Sequence, residues 1–308
     1  MPSAPTHTTT ASSSTTSHSL SPSVTYPVFF DDRWAAATGV ILFAAFCART
    51  CNADTVRNYM AAIRDLYLSR GHPDPTSNNY ALKQLITGLR RSKPCGSAAK
   101  LPITITILRL MSTTVRLNHP TDTACMCGAL LAFFAMLRKG NLTPDSASAA
   151  GTATLTRGDI LVDHSDYTLW IRLRHTKTIQ FGERVLFLPI RGSPGSPIDP
   201  IAWWERHLRL SPAHHTDPAL MSANGPTTRQ RFIHWTKANI AYAGLNPTRY
   251  SGHSYRRGGA TFAFSAGAPA EWVRAIGDWR SSAYLRYITI SEELKKGLAA
   301  LMADAAQR

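Results

Sequence analysis

Five side chains combine chemistry-bearing types with turn signals: Arg138, Lys177, His253, Arg256 and Tyr287. They fall in four short segments. Leu137-Arg138-Lys139-Gly140-Asn141-Leu142 follows an apolar run. His175-Thr176-Lys177-Thr178 lies between two stretches rich in β-branched residues. Gly252-His253-Ser254-Tyr255-Arg256-Arg257-Gly258-Gly259 carries a His-x-x-Arg step, and Gly277-Asp278-Trp279 precedes Tyr284-Leu285-Arg286-Tyr287-Ile288. Arginines of this kind can grip an anion, an imidazole can move a proton, and a phenol can attack an electrophile. Each residue alone has a plainer explanation. Arg138 suits a helix C-terminus, Lys177 a solvated turn, His253 a cap or core position, and Tyr287 simple packing.

The charge balance favours an anionic partner. Lys and Arg total 34 against 19 Asp and Glu, a net charge of +15 over 308 residues. Such an excess raises a positive potential over the surface, for which nucleic acid is the default polyanion. An acidic protein or a membrane surface is the other class of partner. No run of apolar residues is long enough to span a bilayer; residues 35–48 are apolar but short, and read as a buried helix. The five cysteines lack paired zinc-ligand spacing. Cys47, Cys51, Cys125 and Cys127 sit in apolar stretches and read as small core residues in a reducing compartment.

Hydrophobic periodicity supplies the elements that would position these groups. Residues 1–25 are mostly Ser, Thr, Pro and Ala and read as a disordered tail. Residues 26–93 read as an all-helical unit with helices over about 32–49, 52–70 and 78–91. Asn52 or Asp54 caps the second helix, which carries a stripe of Val56, Tyr59, Met60, Ile63, Leu66 and Tyr67. Residues 94–101 read as a linker. The remainder, 102–308, reads as a larger mixed domain. Helices are predicted near 104–117, 122–137, 199–209, 227–243, 253–266 and 269–276, and near 281–288 and 292–305. Short strands are predicted at 154–162, 167–174 and 184–190. The fold class is therefore mainly α with a small antiparallel β-sheet (α+β).

An Arg, then a Lys on a β-hairpin, then His-x-x-Arg, then a Tyr about thirty residues later resembles the tyrosine recombinases, the integrases of phage and Cre type. "TVRNYMAAIRDLYLSRG" resembles their core-binding helix and "GLRRSKP…KLPIT" their domain junction. "GHSYRRGGATFAFSAG" and "GDWRSSAYLRYI" look like the eukaryotic mobile-element branch, Crypton- or DIRS-like. The resemblance implies a helical core-binding domain followed by a catalytic domain. It implies site-specific cutting and rejoining of DNA through a 3′-phosphotyrosyl link to Tyr287, with no metal and no cofactor. Arg138 and Arg256 match the two phosphate-gripping positions, Lys177 the general acid, and His253 the acid/base histidine. It also implies double-stranded DNA as substrate, a homo-oligomer (dimer to tetramer) on that DNA, and a nuclear location.

The sequence departs from the family at two places. Nine residues before the nucleophile the family has His or Trp; here that residue is Asp278, and Trp279 follows. An Asp would be repelled by a phosphate unless it faces His253 or an arginine. The expectation is that Trp279 takes the packing and hydrogen-bonding role with Asp278 turned aside. Arg257 stands beside Arg256, though the three-residue step from His253 favours Arg256. Tyr284, three residues before Tyr287, is the rival nucleophile.

The DNA-binding candidates are Arg57, Arg64, Lys83, Arg90, Arg91 and Lys93, each of which would otherwise be a solvated helix face. In the stretch 292–305, Leu294, Leu298, Leu301 and Met302 form an apolar face, for a neighbouring subunit or for the protein's own domain. Two further readings remain open: a DNA-binding protein derived from a recombinase that has lost its chemistry, and a type IB topoisomerase.

Overall fold

The structure is a computed structural model describing residues 32–92, 100–147, 154–177, 179, 183–288, 296–297, 299–300 and 302–303. The predicted tail 1–25, linker residues 94–99, and Lys93, Cys95, Leu294, Leu298 and Leu301 lie outside these. The chain divides into two compact units, residues 1–96 and 97–308.

The first unit holds three helices, α1 (Asp32–Ala48), α2 (Ala53–Ser69) and α3 (Tyr80–Ser92). Asn52 caps α2 by accepting a hydrogen bond from the Thr55 amide at 2.9 Å, which satisfies one of the amides left free at a helix start. Val40, Ala44 and Cys47 of α1 pack against Val56 and Met60 of α2 and against Leu82 and Leu89 of α3. The predicted stripe on α2 is narrower than the sequence suggested, because Tyr59 and Leu66 are exposed. Nor is α1 buried all round: Leu42, Phe43 and Phe46 face outward. Two partner helices cover only one side of a helix that is apolar on every side.

The second unit is built around α5 (Pro120–Phe134), whose residues Thr123 to Phe133 are all buried. It packs against α4 (Ile105–Thr114), α7 (Pro200–Leu210), α8 (Arg229–Tyr242) and α9 (Gly252–Ser265). Each Leu or Phe fully buried there contributes roughly 1.5–3 kcal/mol relative to exposure. A three-stranded antiparallel sheet runs in sequence order: β1 (Ile160–Asp163), β2 (Thr168–Leu173) and β3 (Leu186–Arg191). Leu169, Ile171, Leu188 and Ile190 supply its buried face, in the alternation expected of a half-covered sheet. Its first predicted strand is shorter than expected, since residues 157–159 form a 3₁₀ turn capped by Thr156. The short helix α6 (Lys139–Leu142), the two-residue strands β4 (Met221–Ser222) and β5 (Gly225–Pro226), and α10 (Ala270–Ile276) complete the unit. The predicted helix at 281–288 is a 3₁₀ turn over Ser282–Arg286. No described helix is long and apolar enough to cross a membrane.

Helix α9 is fixed by close backbone approach. A Cβ on Gly258 would fall 1.8 Å from the Ile103 carbonyl oxygen, and one on Gly259 would fall 1.9 Å from that of Phe133. No other residue fits at either position. Lys100 to Ile103 are pinned alongside: the Leu101 amide donates to Arg249 O at 2.8 Å and the Ile103 amide to Ser254 O at 3.0 Å.

Candidate active site

The site forms where the end of α5, the start of α9, and the turn after α10 meet. Helix α5 ends at Phe134, and Met136 takes a left-handed conformation (φ +48°) that turns the chain toward Arg138. Arg138 is the N-cap of α6. Ser251 starts α9 as a capping box with Ser254, which sets His253 and Arg256 one turn apart on the same face. Gly277, Asp278 and Trp279 make the turn after α10, and Tyr287 caps the 3₁₀ turn that follows.

Arg256 is buried to 3% exposure. It donates through Nη1 to the Met136 carbonyl and through Nη2 to the Gly277 carbonyl. Its guanidinium lies over the Trp279 ring, 3.7 Å from the centroid, and 5.6 Å from that of Tyr287. Burial first, then the charge of Arg138, lowers its pKa, while Tyr287 and Asp278 oppose the shift; it stays charged at neutral pH. Arg257 points elsewhere and donates to Lys100 O at 3.1 Å, so of the adjacent arginines Arg256 is the one in the site.

The Tyr287 ring packs 5.2 Å from Trp279 and 6.4 Å from His253. Tyr284 contacts Trp279 more distantly, at 6.3 Å. In a 3₁₀ turn the two tyrosines eclipse one another, but Tyr287 is the one that also meets Arg256 and His253. The His253 pKa is lowered, by loss of hydration first and then by Lys139, Arg256 and Arg138, although one edge of the residue faces solvent. At neutral pH the imidazole is therefore uncharged and able to accept a proton.

Asp278 is not turned aside. It is buried, in a left-handed conformation (φ +52°), and its carboxylate gathers three donors. Oδ2 accepts from Arg138 Nη1 at 3.1 Å and from Thr176 Oγ1 at 2.7 Å, and Oδ1 accepts from Arg184 Nη2 at 2.6 Å. The Asp278 carbonyl accepts from Arg138 Nη2 at 3.0 Å. A buried carboxylate needs such partners, and arginine is what this turn presents to it. Trp279 supplies packing, through its contacts with Arg256 and both tyrosines.

Lys177 is exposed on the β2–β3 connection. Its neighbours tie that connection to the site: Thr176 through Asp278, and the His175 carbonyl through Asn141 Nδ2 at 2.7 Å. Arg138, His253, Arg256, Trp279 and Tyr287 are thus brought together, with Lys177 one residue from a tethered position. Thr176, Arg184 and Lys139 were missed from the sequence. Lys139 and Thr176 stood beside recognised residues, whereas Arg184 carried no local signal.

In the first unit Arg57, Arg64, Lys83, Arg90 and Arg91 are exposed. Arg57 and Arg90 pair with Asp54 at 3.7 and 3.1 Å, and Arg64 with Asp65 at 2.9 Å. These exposed pairs are weak. Near the C-terminus, Met302 is exposed.

No protein-family model matches this sequence, and no curated protein matches it. Solved structures do. The Tn1549 transposon integrase in complex with circular intermediate DNA superposes with a TM-score of 0.56 at 12% identity, over 85% of this chain and 84% of that one. The XerH site-specific recombinase bound to palindromic difH substrate, in its post-cleavage complex, gives 0.58 at 12% identity over 90% and 73%. A lambda integrase dimer bound to a COC′ core site gives 0.52 at 11% identity over 82% and 79%. Mainly helical, with small antiparallel sheets, the chain has the tyrosine recombinase fold.

Proposed function

We propose that this chain is a site-specific DNA recombinase of the integrase or transposase type, which cuts and rejoins DNA through a 3′-phosphotyrosyl link to Tyr287. The observation that carries this reading is the convergence of His253, Arg256 and Trp279 on one tyrosine, with Arg138 alongside. In the cutting step the Tyr287 oxygen attacks phosphorus and its proton passes to His253. The 5′-oxygen leaves with a proton from Lys177. Arg138 and Arg256 offset the charge that builds on the phosphoryl oxygens, a role in which one fixed donor is worth about 3 kcal/mol. Rejoining is the reverse. Fixed cations supply the electrostatic stabilisation, so the reading assigns the chemistry to side chains alone.

The exposed arginines of the first unit, with Lys83 and Lys93, are assigned to phosphate contacts, and a homo-oligomer, dimer to tetramer, to the working complex on DNA. The likeness of two motifs to eukaryotic mobile elements supports a transposable-element origin and a nuclear location.

The test is a denaturant-stable covalent adduct on a pool of nicked duplexes with randomised cores, formed in the presence of chelator. Wild type and Tyr284→Phe should form it and Tyr287→Phe should not. An adduct that survives Tyr287→Phe would overturn the nucleophile, and a strict magnesium requirement would overturn the mechanism. A second reading, a DNA-binding protein without the chemistry, draws on Asp278, whose carboxylate already occupies Arg138. Sequence-independent DNA binding with no adduct from wild type would favour it.

A further inference from the structure

We infer that Asp278 is a positioning residue: a resident counter-ion that stands in for the phosphate while no DNA is bound, and so keeps Arg138 and the Lys177-bearing connection in place. The inference rests on the proposed phosphate-binding role of Arg138. Three observations carry it. First, one carboxylate joins two separate elements. Arg138 comes from the start of α6, while Thr176 and Arg184 come from the two ends of the β2–β3 connection. Second, it grips Arg138 twice, by carboxylate and by main-chain carbonyl, which orients the guanidinium plane rather than merely neutralising it. Third, the backbone there is held left-handed. Aspartate tolerates that conformation better than most residues, and it fixes the turn from which both the carboxylate and the carbonyl reach Arg138.

Arg138 and Arg256 converge on one turn, Arg138 donating to Asp278 and Arg256 to the carbonyl of the preceding Gly277. Two buried or half-buried cations without an anion repel one another and the nearby Arg184. Asp278 offsets that repulsion before DNA binds, and an incoming phosphate takes over the same function.

Asp278→Asn isolates the charge. Asparagine also tolerates the left-handed backbone, so the turn is kept while the counter-ion is removed. The readout is limited trypsin digestion of the full chain, followed at Lys177 and Arg184 by mass spectrometry. Cleavage in Asp278→Asn is expected to be roughly tenfold faster than in wild type, the equivalent of losing a charged hydrogen bond. Inorganic phosphate should restore protection in the variant, while chloride at equal ionic strength should not. Tyr287→Phe should digest like wild type. Unchanged cleavage would overturn the inference, and so would faster cleavage that phosphate does not reverse. If Asp278→Asn fails to melt cooperatively, Arg184→Gln decides by the same readout: it removes one arm of the tie, and unchanged cleavage at Lys177 would again overturn the inference. The digestion needs no DNA. A positive digestion result without an adduct from wild type would leave the counter-ion standing and remove the recombinase chemistry. An adduct without the digestion result would do the opposite.

Discussion

The guanidinium of Arg256 lies over the ring of Trp279, 3.7 Å from its centroid, and from that position reaches the carbonyls of Met136 and Gly277. One side chain therefore closes two left-handed turns, because Met136 is itself left-handed and Gly277 precedes Asp278. Lysine has a single ammonium and no plane to stack. Arg256→Lys should leave one buried carbonyl unmet and lower stability by about 2 kcal/mol. Trp279→Ala should cost about 3–5 kcal/mol through the cavity it leaves, and Trp279→Phe less. Urea denaturation checks all three, and equal midpoints for wild type and the two Trp279 variants would mean that the ring is incidental.

The histidine sets an expected pH dependence. In the proposed role of base His253 must be neutral, and its pKa is lowered from the ordinary value of 6.5. The rate of adduct formation should stay level as pH falls toward the usual histidine range and decline only below it. His253→Gln should be slower and lack that decline. A decline starting above the ordinary histidine value would contradict the depressed pKa.

A second histidine should govern acid stability. His207 is fully buried, and burial together with the charge of Arg157 lowers its pKa to about 4. The unfolded chain, near 6.5, binds the proton more readily than the folded one. The stabilising contribution is therefore full above about pH 6.5 and is lost progressively down to about pH 4. At 1.36 kcal/mol per tenfold change, the whole loss is of order 3 kcal/mol. Denaturation midpoints measured across that window should fall less in His207→Gln than in wild type.

Thiol reactivity should divide by depth. Cys125 and Cys127 lie inside α5, and burial raises the pKa of both, to about 12 for Cys127. Alkylation of the native protein at about pH 8 should spare them, since the thiolate is the reactive form. Cys51, half-exposed, should label. Labelling of Cys127 before unfolding would mean that the α5 core opens.

Legibility from the sequence followed the range of the interactions. Helices α2, α5 and α9 were readable because their caps and apolar spacing lie within a few residues of one another, as with Asn52 capping Thr55. Tyr287, His253 and Arg256 stand in the sequence as an ordered series, and the structure sets Arg256, not Arg257, beside Tyr287. The role of Asp278 was not readable. Its partners Arg138, Thr176 and Arg184 lie 140, 102 and 94 residues away in sequence, and no local pattern reports a contact of that span. The outward face of α1 was misread for a related reason. An all-apolar helix states that it can be buried, while how many neighbours it receives depends on the fold.

The backbone contacts at Gly258 and Gly259 have a thermal consequence. With no side chain between α9 and the carbonyls of Ile103 and Phe133, there is no soft layer in which the helix can shift before the unit itself comes apart. His253 and Arg256 ride on that helix. Warming should thus bring no stage at which the unit stays folded while its reactive groups drift out of register. Competence to form the tyrosyl adduct should be lost in the transition that unfolds the second unit, and not before it.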